Sequence, residues 1–215
     1  MKIKGISIET EKLLKRGELL PVMEEFYTIQ GEGFHSGKAA WFIRVGGCDV
    51  GCNWCDVKES WNPSHFPAKP IQEVIKHALD SKAKTVVVTG GEPLNYNLDI
   101  LCKELSYNGV ALHIETSGSS SLSGKWDWVC LSPKRNKPPL TDVYFHADEL
   151  KVIISDESDF AWAKENAKKV RPSSELYLQP EWSKREKNMK SIVEFVLNNP
   201  RWKVSLQTHK YMHIP

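Results

Sequence analysis

No apolar run in the 215 residues approaches the roughly 18 that a membrane span requires, and the opening MKIKGISIETEKLLKRGELL has no apolar signal core. The expectation is a cytoplasmic protein with no membrane role. A charge excess is missing as well. Lys and Arg number 29 against 27 Asp and Glu, a net of +2, which is too little for a nucleic-acid footprint. No nucleic-acid partner is expected. Repeats and low-complexity segments are lacking. Cysteine is scarce: there are five. An odd number in a cytoplasmic chain argues against a disulfide framework and for metal or redox use.

What is present is an ordinary globular composition, 40% hydrophobic and 26% charged, in a chain long enough to bury a core. A single domain over 1–215 is expected, with the mixed, charged residues 1–22 as a loosely docked leader. EEFYTIQGEG opens a first element that ends in glycines, and AAWFIRVGG reads as a strand running into a cysteine loop. FPAKPIQEVIKHALDSK carries Ile71, Val74, Ile75, Ala78 and Leu79 at helical spacing behind a Pro. KTVVVTGGEP, VALHIETSG, WDWVCLSPK, ELKVIIS, ELYLQP and WKVSLQTHK read as strands, with LDILCKELSYNG, DFAWAKENAKK and EKNMKSIVEFVLNNP as helices between them. Alternating strands and helices imply βαβ units and a parallel sheet. About six strands are too few for a closed eight-fold barrel, so an α/β fold in the form of a partial, open β/α barrel is expected. Several strands end in polar or glycine-rich stretches (GGCD, TGGEP, ETSG, SPK, LQP). In parallel α/β folds that rim is where ligands gather.

The stretch VGGCDVGCNWCDVKESW places Cys48, Cys52 and Cys55 together and supplies no fourth cysteine nearby. Three thiolates leave a metal position open. Zinc completed by His35, His65 or His113 is one reading, but zinc thiolates usually come as two C-x2-C pairs and no second pair follows. The spacing favours an iron–sulfur cluster. Cys102, on the apolar face of a helix, and Cys130, within a strand, read as small packed hydrophobes.

The C-x3-C-x2-C loop after a first strand, with Trp54 before the last Cys and GGEP (Gly90, Gly91, Glu92, Pro93) at the end of a later strand, resembles the signature of radical S-adenosylmethionine enzymes. The order EEFYTIQGEG, FIRVGGCDVGCNWCD, VTGGEP, ETSG, LSPK, LQP and QTHK is similar to that of the 7-carboxy-7-deazaguanine synthase family, from about Glu24 to the C-terminus. The resemblance implies a [4Fe–4S] cluster on Cys48, Cys52 and Cys55, with S-adenosylmethionine on its open iron. It further implies a lyase that contracts 6-carboxy-5,6,7,8-tetrahydropterin to 7-carboxy-7-deazaguanine, with loss of ammonia, on the way to queuosine and other deazapurines. A homodimer, a flavodoxin-like or ferredoxin-like reductant and Mg2+ belong to the same implication.

Residue by residue, the resemblance and side-chain chemistry together assign the pterin to Ile29, Gln30, Gly31, Glu32, Arg44, Thr89, His209 and Pro215. Gln offers donor and acceptor together, Glu accepts from an aminopyrimidine, and Arg44 forks onto the substrate carboxylate. S-adenosylmethionine is assigned to Trp54, Cys55, Asp56, Gly90, Gly91, Glu92, Glu115, Ser117, Ser132, Pro133, Lys134 and Gln179. Without the resemblance, GEG and TGG are plain turns and Lys134 a solvated charge. In the family a Thr hydroxyl helps hold Mg2+ where this chain has Val57, which has no side-chain oxygen for a hard ion. The metal requirement is in doubt there, while the reaction assignment is not.

Two other functions fit the cysteine spacing. A glycyl-radical enzyme activase uses the same triad on a protein substrate, and a non-catalytic iron–sulfur electron carrier would take its fourth ligand from the chain. The small-molecule groups at the strand ends disfavour the first. An unchanged cluster spectrum on adding S-adenosylmethionine would identify the second.

Overall fold

In a computed structural model, residues 7–215 are described. The first elements are α1 (Ile8–Arg16), β1 (Leu19–Ile29), β2 (Ala39–Val45), β3 (Ala68–Pro70), α2 (Ile71–Asp80) and β4 (Thr85–Gly90). They are followed by α3 (Asp99–Tyr107), β5 (Ala111–Thr116), β6 (Trp128–Leu131), α4 (Val143–His146) and β7 (Glu149–Ile154). The last are α5 (Ser158–Ala167), β8 (Glu175–Pro180), α6 (Arg185–Asn198), β9 (Trp202–Val204) and α7 (Thr208–Met212). One sheet runs in the order β3-β1-β2-β4-β5-β6-β7-β8-β9. From β2 to β9 every neighbour is parallel, while β1 lies antiparallel to β2 and β3. The sheet is not closed, as a partial barrel requires.

The strand period of two decides what faces where. In β7, Leu150, Val152 and Ile154 are buried in the apolar cluster that includes Phe160, Ala163 and Ile192 from α5 and α6. Glu149, Lys151 and Ile153 alternate with them and point to the other face. β8 repeats this, with Leu176 and Leu178 in the same cluster and Gln179 buried on the inner side. In β4 and β5, Val86, Val88, Leu112 and Ile114 join the α2 and α3 side chains in a second apolar cluster. Thr89 and Glu115 alternate with these. Strands of a parallel sheet covered on both faces are usually apolar throughout. Here the inner face is polar at its carboxyl-end rim.

Three expectations change. The leader does not hang loosely from residue 7 onward. Ser7 caps α1 by accepting from the Thr10 N–H at 3.0 Å, Gly17 closes it at φ 73°, and Leu14, Leu20 and Val22 are buried in the core. Residues 1–6 of that call lie outside the described residues. The sheet has nine strands because the antiparallel β1 and the short edge strand β3 add to the parallel ones. The final strand stops at Val204, and Thr208–Met212 form α7 instead of extending it. The Thr208 N–H and Oγ1 both donate to the Gly31 carbonyl at 2.9 Å, which takes the chain out of the ladder and over the rim. Among the described residues, no helix is long and apolar enough to cross a membrane.

Candidate active site

The carboxyl ends of the parallel strands surround a cavity of about 530 Å³, within the range of small-molecule and cofactor sites. Every residue assigned above to cluster, cofactor or substrate lines it, Val57 included, with one exception. Pro133 is buried away from the cavity, where it shapes the backbone between Ser132 and Lys134.

The cysteine loop is tied down at both ends. The Gly47 N–H donates to Ser60 at 2.5 Å and the Cys48 N–H to Trp61 at 3.2 Å, while Tyr96 donates its hydroxyl to the Gly46 carbonyl at 2.6 Å. A turn within the loop joins the Cys55 N–H to the Cys52 carbonyl at 3.1 Å. All three thiols are half-buried and open on the cavity, whereas Cys102 and Cys130 are buried elsewhere. None of the three histidines weighed as a zinc ligand lines this cavity. His35 and His113 stack on each other with ring centroids 4.3 Å apart, and His65 pairs with Asn62 at 2.9 Å. Among the described residues, no three His, Cys, Asp or Glu side chains converge as single-ion ligands. An iron–sulfur cluster attaches each thiolate to a different iron and so fits a wider triangle than one ion. The donor set fits the cluster. Burial pushes the Cys48 and Cys52 thiols up, with Lys134 drawing Cys52 partly back, so iron binding must displace protons from these two.

The GGEP turn packs beside this loop. Gly90 has φ 117°, and a Cβ there would lie 2.5 Å from the Val45 nitrogen, so only glycine fits. Glu92 is 1% exposed and its carboxylate accepts from the Leu94 N–H at 3.1 Å, the Ser117 N–H at 2.8 Å, and the Thr116 and Ser117 hydroxyls. Those four bonds use the acceptor sites of a carboxylate. Glu92 is therefore a strut joining β4 to β5, and it supports the turn from a place on the cavity lining. Ser117 is committed to the same strut.

Across the cavity the polar groups pair over long sequence distances. Gln30 donates to Glu115 at 2.8 Å, and Thr89 donates to the other Glu115 oxygen at 3.1 Å. Glu32 accepts from Lys151 and, at 2.8 Å, from Gln207. Burial pushes the Glu32 carboxyl up, but the charge and hydrogen bond of Lys151, the Gln207 hydrogen bond and the His209 charge together hold the group at about 2. His209 lies against Gly31, where a Cβ would stand 2.2 Å from its Nδ1. Arg44 gives its Nε to Glu24 at 2.6 Å, which leaves its Nη groups for a carboxylate. On the cofactor side, Lys134 donates to the Ser132 hydroxyl at 2.5 Å and sits 5.4 Å from the Trp54 ring centre, so it is not a solvated loop charge. Gln179 is buried and accepts from Ser205 at 2.7 Å.

The chain end closes the rim. Lys210 donates to Asp56 at 2.7 Å and lies 4.8 Å from the Trp182 ring centre, and Tyr211 meets that ring edge-on at 5.4 Å. Burial pushes Asp56 up, and the hydrogen bond and charge of Lys210 more than reverse it. Pro215 lines the cavity. Sequence reasoning missed Lys151, Gln207, Lys210 and Trp182. Lys151 left a usable signal, a charge ahead of the apolar run of a covered parallel strand. Gln207 and Lys210 flank His209 in the QTHK stretch already singled out, and Trp182 left no signal.

The comparisons with known proteins follow this geometry. Residues 42–132 match the Radical SAM superfamily. A 7-carboxy-7-deazaguanine synthase of Flavobacterium psychrophilum is 54% identical over 215 residues, covering 100% of both chains. The synthase of the same name from Synechocystis is 48% identical over 194 residues, covering 90% of this chain and 93% of that one. The crystal structure of QueE from Escherichia coli superposes with a TM-score of 0.79 at 27% identity, over 93% of this chain and 98% of the other.

Proposed function

Because this chain belongs to the 7-carboxy-7-deazaguanine synthase family of radical S-adenosylmethionine enzymes, we propose that it contracts 6-carboxy-5,6,7,8-tetrahydropterin to 7-carboxy-7-deazaguanine and ammonia. Membership sets aside the glycyl-radical activase and the electron carrier. The observation that carries the reading is one cavity with three open thiols on one wall and the Arg44, Glu32, Gln30 and Thr89 groups on another. Substrate minus ammonia has the atoms of the product, so the net reaction consumes no oxidant or reductant. When bound, the cluster and S-adenosylmethionine supply a carbon-centred radical that removes a hydrogen atom from the substrate.

The chain's own groups bind and orient. The Arg44 Nη atoms face the substrate carboxylate, and Glu32 accepts from the aminopyrimidine. The Gly90–Gly91 backbone, Ser132, Lys134, Trp54 and Gln179 hold S-adenosylmethionine. A homodimer, a cytoplasmic location and a flavodoxin-like or ferredoxin-like reductant belong to the same proposal and rest on the family resemblance. Anaerobic, reconstituted protein incubated with the carboxy-tetrahydropterin should release a product of the deazaguanine mass. Cofactor cleavage without that product would reject the substrate.

Mg2+ does not fit the residues present. Val57 offers no side-chain oxygen and its carbonyl accepts from Ser60, while Lys210 and, at 3.4 Å, Gln207 both end on Oδ2 of Asp56. No step is assigned to the ion. Chelation with EDTA should change the rate less than about two-fold, and Val57→Thr, which adds a hard oxygen donor, should make the rate rise with added Mg2+. A wild type silenced by EDTA would overturn this.

The family resemblance implies a carboxylate at Pro215 that accepts from the substrate's aminopyrimidine, and Pro215 lines the cavity. A charge-assisted contact of this kind is worth roughly 1.5–3 kcal/mol. Residues added after Pro215 should therefore raise KM for the pterin about ten-fold or more, since about 1.4 kcal/mol is one decade. KM for S-adenosylmethionine should hardly move. A C-terminally tagged enzyme with an unchanged pterin KM would remove Pro215 from the site.

A further inference from the structure

Lys151 has no part in the reading above, yet it is the strangest group in the cavity. Its side chain is 4% exposed, it sits in the middle of β7, and it lines the same space as the thiols. Glu32 from the loop after β1, Glu115 from β5, Glu149 from β7 and Cys130 from β6 surround it. A buried ion pair is a poor way to stabilise a core, because apolar side chains of similar volume do so at less cost. The pair therefore calls for a reason other than stability.

The acceptor count supplies one. An ionised carboxylate has about four acceptor sites. On Glu32, Lys151 takes one on Oε2 and Gln207 one on Oε1. Two remain, one on each oxygen. An aminopyrimidinone edge presents two parallel N–H donors, one from the exocyclic amine and one from the ring. We propose that Lys151 is a positioning residue: it fixes the rotamer of Glu32 and keeps it an acceptor, so that the carboxylate reads the donor pair of the pterin. This rests on the reading that Glu32 faces the substrate.

The charge around Glu32 points the same way. Burial pushes its carboxyl up, and Lys151 is the largest force holding it down. The other groups facing it are Gln207 just before α7, His209 from α7, Asp56 from the cysteine loop, and Glu115 through Lys151. Without Lys151 the desolvation remains and most of its compensation is gone. Glu32 would then carry a proton over part of the working pH range. A protonated carboxyl places a donor against the substrate's donors, which costs affinity. His209 is pushed down by its own burial, so above pH 7 it stays neutral and does not confuse the profile.

The test is pterin binding by anaerobic calorimetry on cluster-loaded enzyme with S-adenosylmethionine and no reductant, so that nothing turns over. In the wild type, Glu32 stays ionised and should contribute no pH dependence between pH 7 and 9. Lys151→Met should weaken pterin binding about ten-fold or more at pH 7, with part of the loss recovered by pH 9 as Glu32 ionises, and S-adenosylmethionine binding should stay within about two-fold. Glu32→Gln should also lose pterin affinity, and adding Lys151→Met to it should cost less than about two-fold further, because the lysine acts through the glutamate. If Lys151→Met alone does not fold, the double variant, which removes both buried charges, decides on the same comparison. Losses that add, or a Lys151→Met deficit that does not change with pH, would overturn the positioning role while leaving Glu32 at the substrate. Unchanged binding in Glu32→Gln would overturn the substrate reading itself, and the inference with it.

Discussion

Cys48→Ala, Cys52→Ala and Cys55→Ala should each leave no measurable turnover, while Cys102→Ala and Cys130→Ala keep it. The triad thiols open on the cavity, and no other described cysteine lines it. Each thiolate would hold a different iron of the cluster, so losing one would leave two irons open and the cluster readily lost. The other two cysteines stand in a different environment. Cys102 lies in the apolar cluster against α2 and α3, where burial pushes its thiol up to about 12. Cys130 is fully enclosed, and burial, with Glu149 3.6 Å away, raises its thiol well above the ordinary value. Neutral thiols of this kind are inert, and truncating one should cost about 1 kcal/mol of stability. Iron content, the visible absorption of the reconstituted protein and product formation check both halves. Full turnover in any triad variant would withdraw that ligand, and a dead Cys102→Ala would mean that the inert pair is wrongly drawn.

Glu92→Ala should lower the melting temperature by about 10 °C and loosen S-adenosylmethionine binding with it. Four donors end on this one carboxylate: two backbone N–H groups, of Leu94 and Ser117, and two hydroxyls, of Thr116 and Ser117. All sit in a region where Glu92 itself is 1% exposed. A hydroxyl can turn to another acceptor, but a backbone N–H cannot. Each buried donor left unmade costs about 1–3 kcal/mol, so about 3–5 kcal/mol is the expected loss. In a chain of this size about 1 kcal/mol corresponds to roughly 2–4 °C. The effect reaches the cofactor because the strut anchors the Gly90–Gly91 backbone, whose Gly91 N–H also bonds to Val45 at 2.9 Å. Glu92→Gln keeps the volume but turns a donor toward donors, and should fall between. A Glu92→Ala protein that melts within about 2 °C of the wild type would show that the turn stands without its strut.

The legible parts of this protein are those set by local chemistry. The alternation in ELKVII and the β-branched run TVVV mark strands because side chains on a strand face opposite ways. The polar stretches at strand ends mark the rim because a strand that stops at Gly, Ser or Pro must turn there. Where those rules compete, the reading slipped. WKVSLQTHK has strand-like residues throughout, but Thr208 finds a better partner in the Gly31 carbonyl than a ladder could offer. The leader looked loose because its charges conceal Leu14, Leu20 and Val22, which are buried in the core.

The site divides along the same line. By itself the sequence determined the cysteine triad, the glycine turn and the family, because those signals are contiguous and their chemistry depends on spacing. Only the tertiary structure decided which side chains share a charge. Gln30 meets Glu115 across 85 positions, Glu32 meets Lys151 across 119, and Asp56 meets Lys210 across 154. No periodicity marks such pairs. A carboxylate ionises, or an ammonium survives burial, according to what stands within a few ångströms in a medium that screens poorly. Strand order, not neighbouring sequence, brought those groups together.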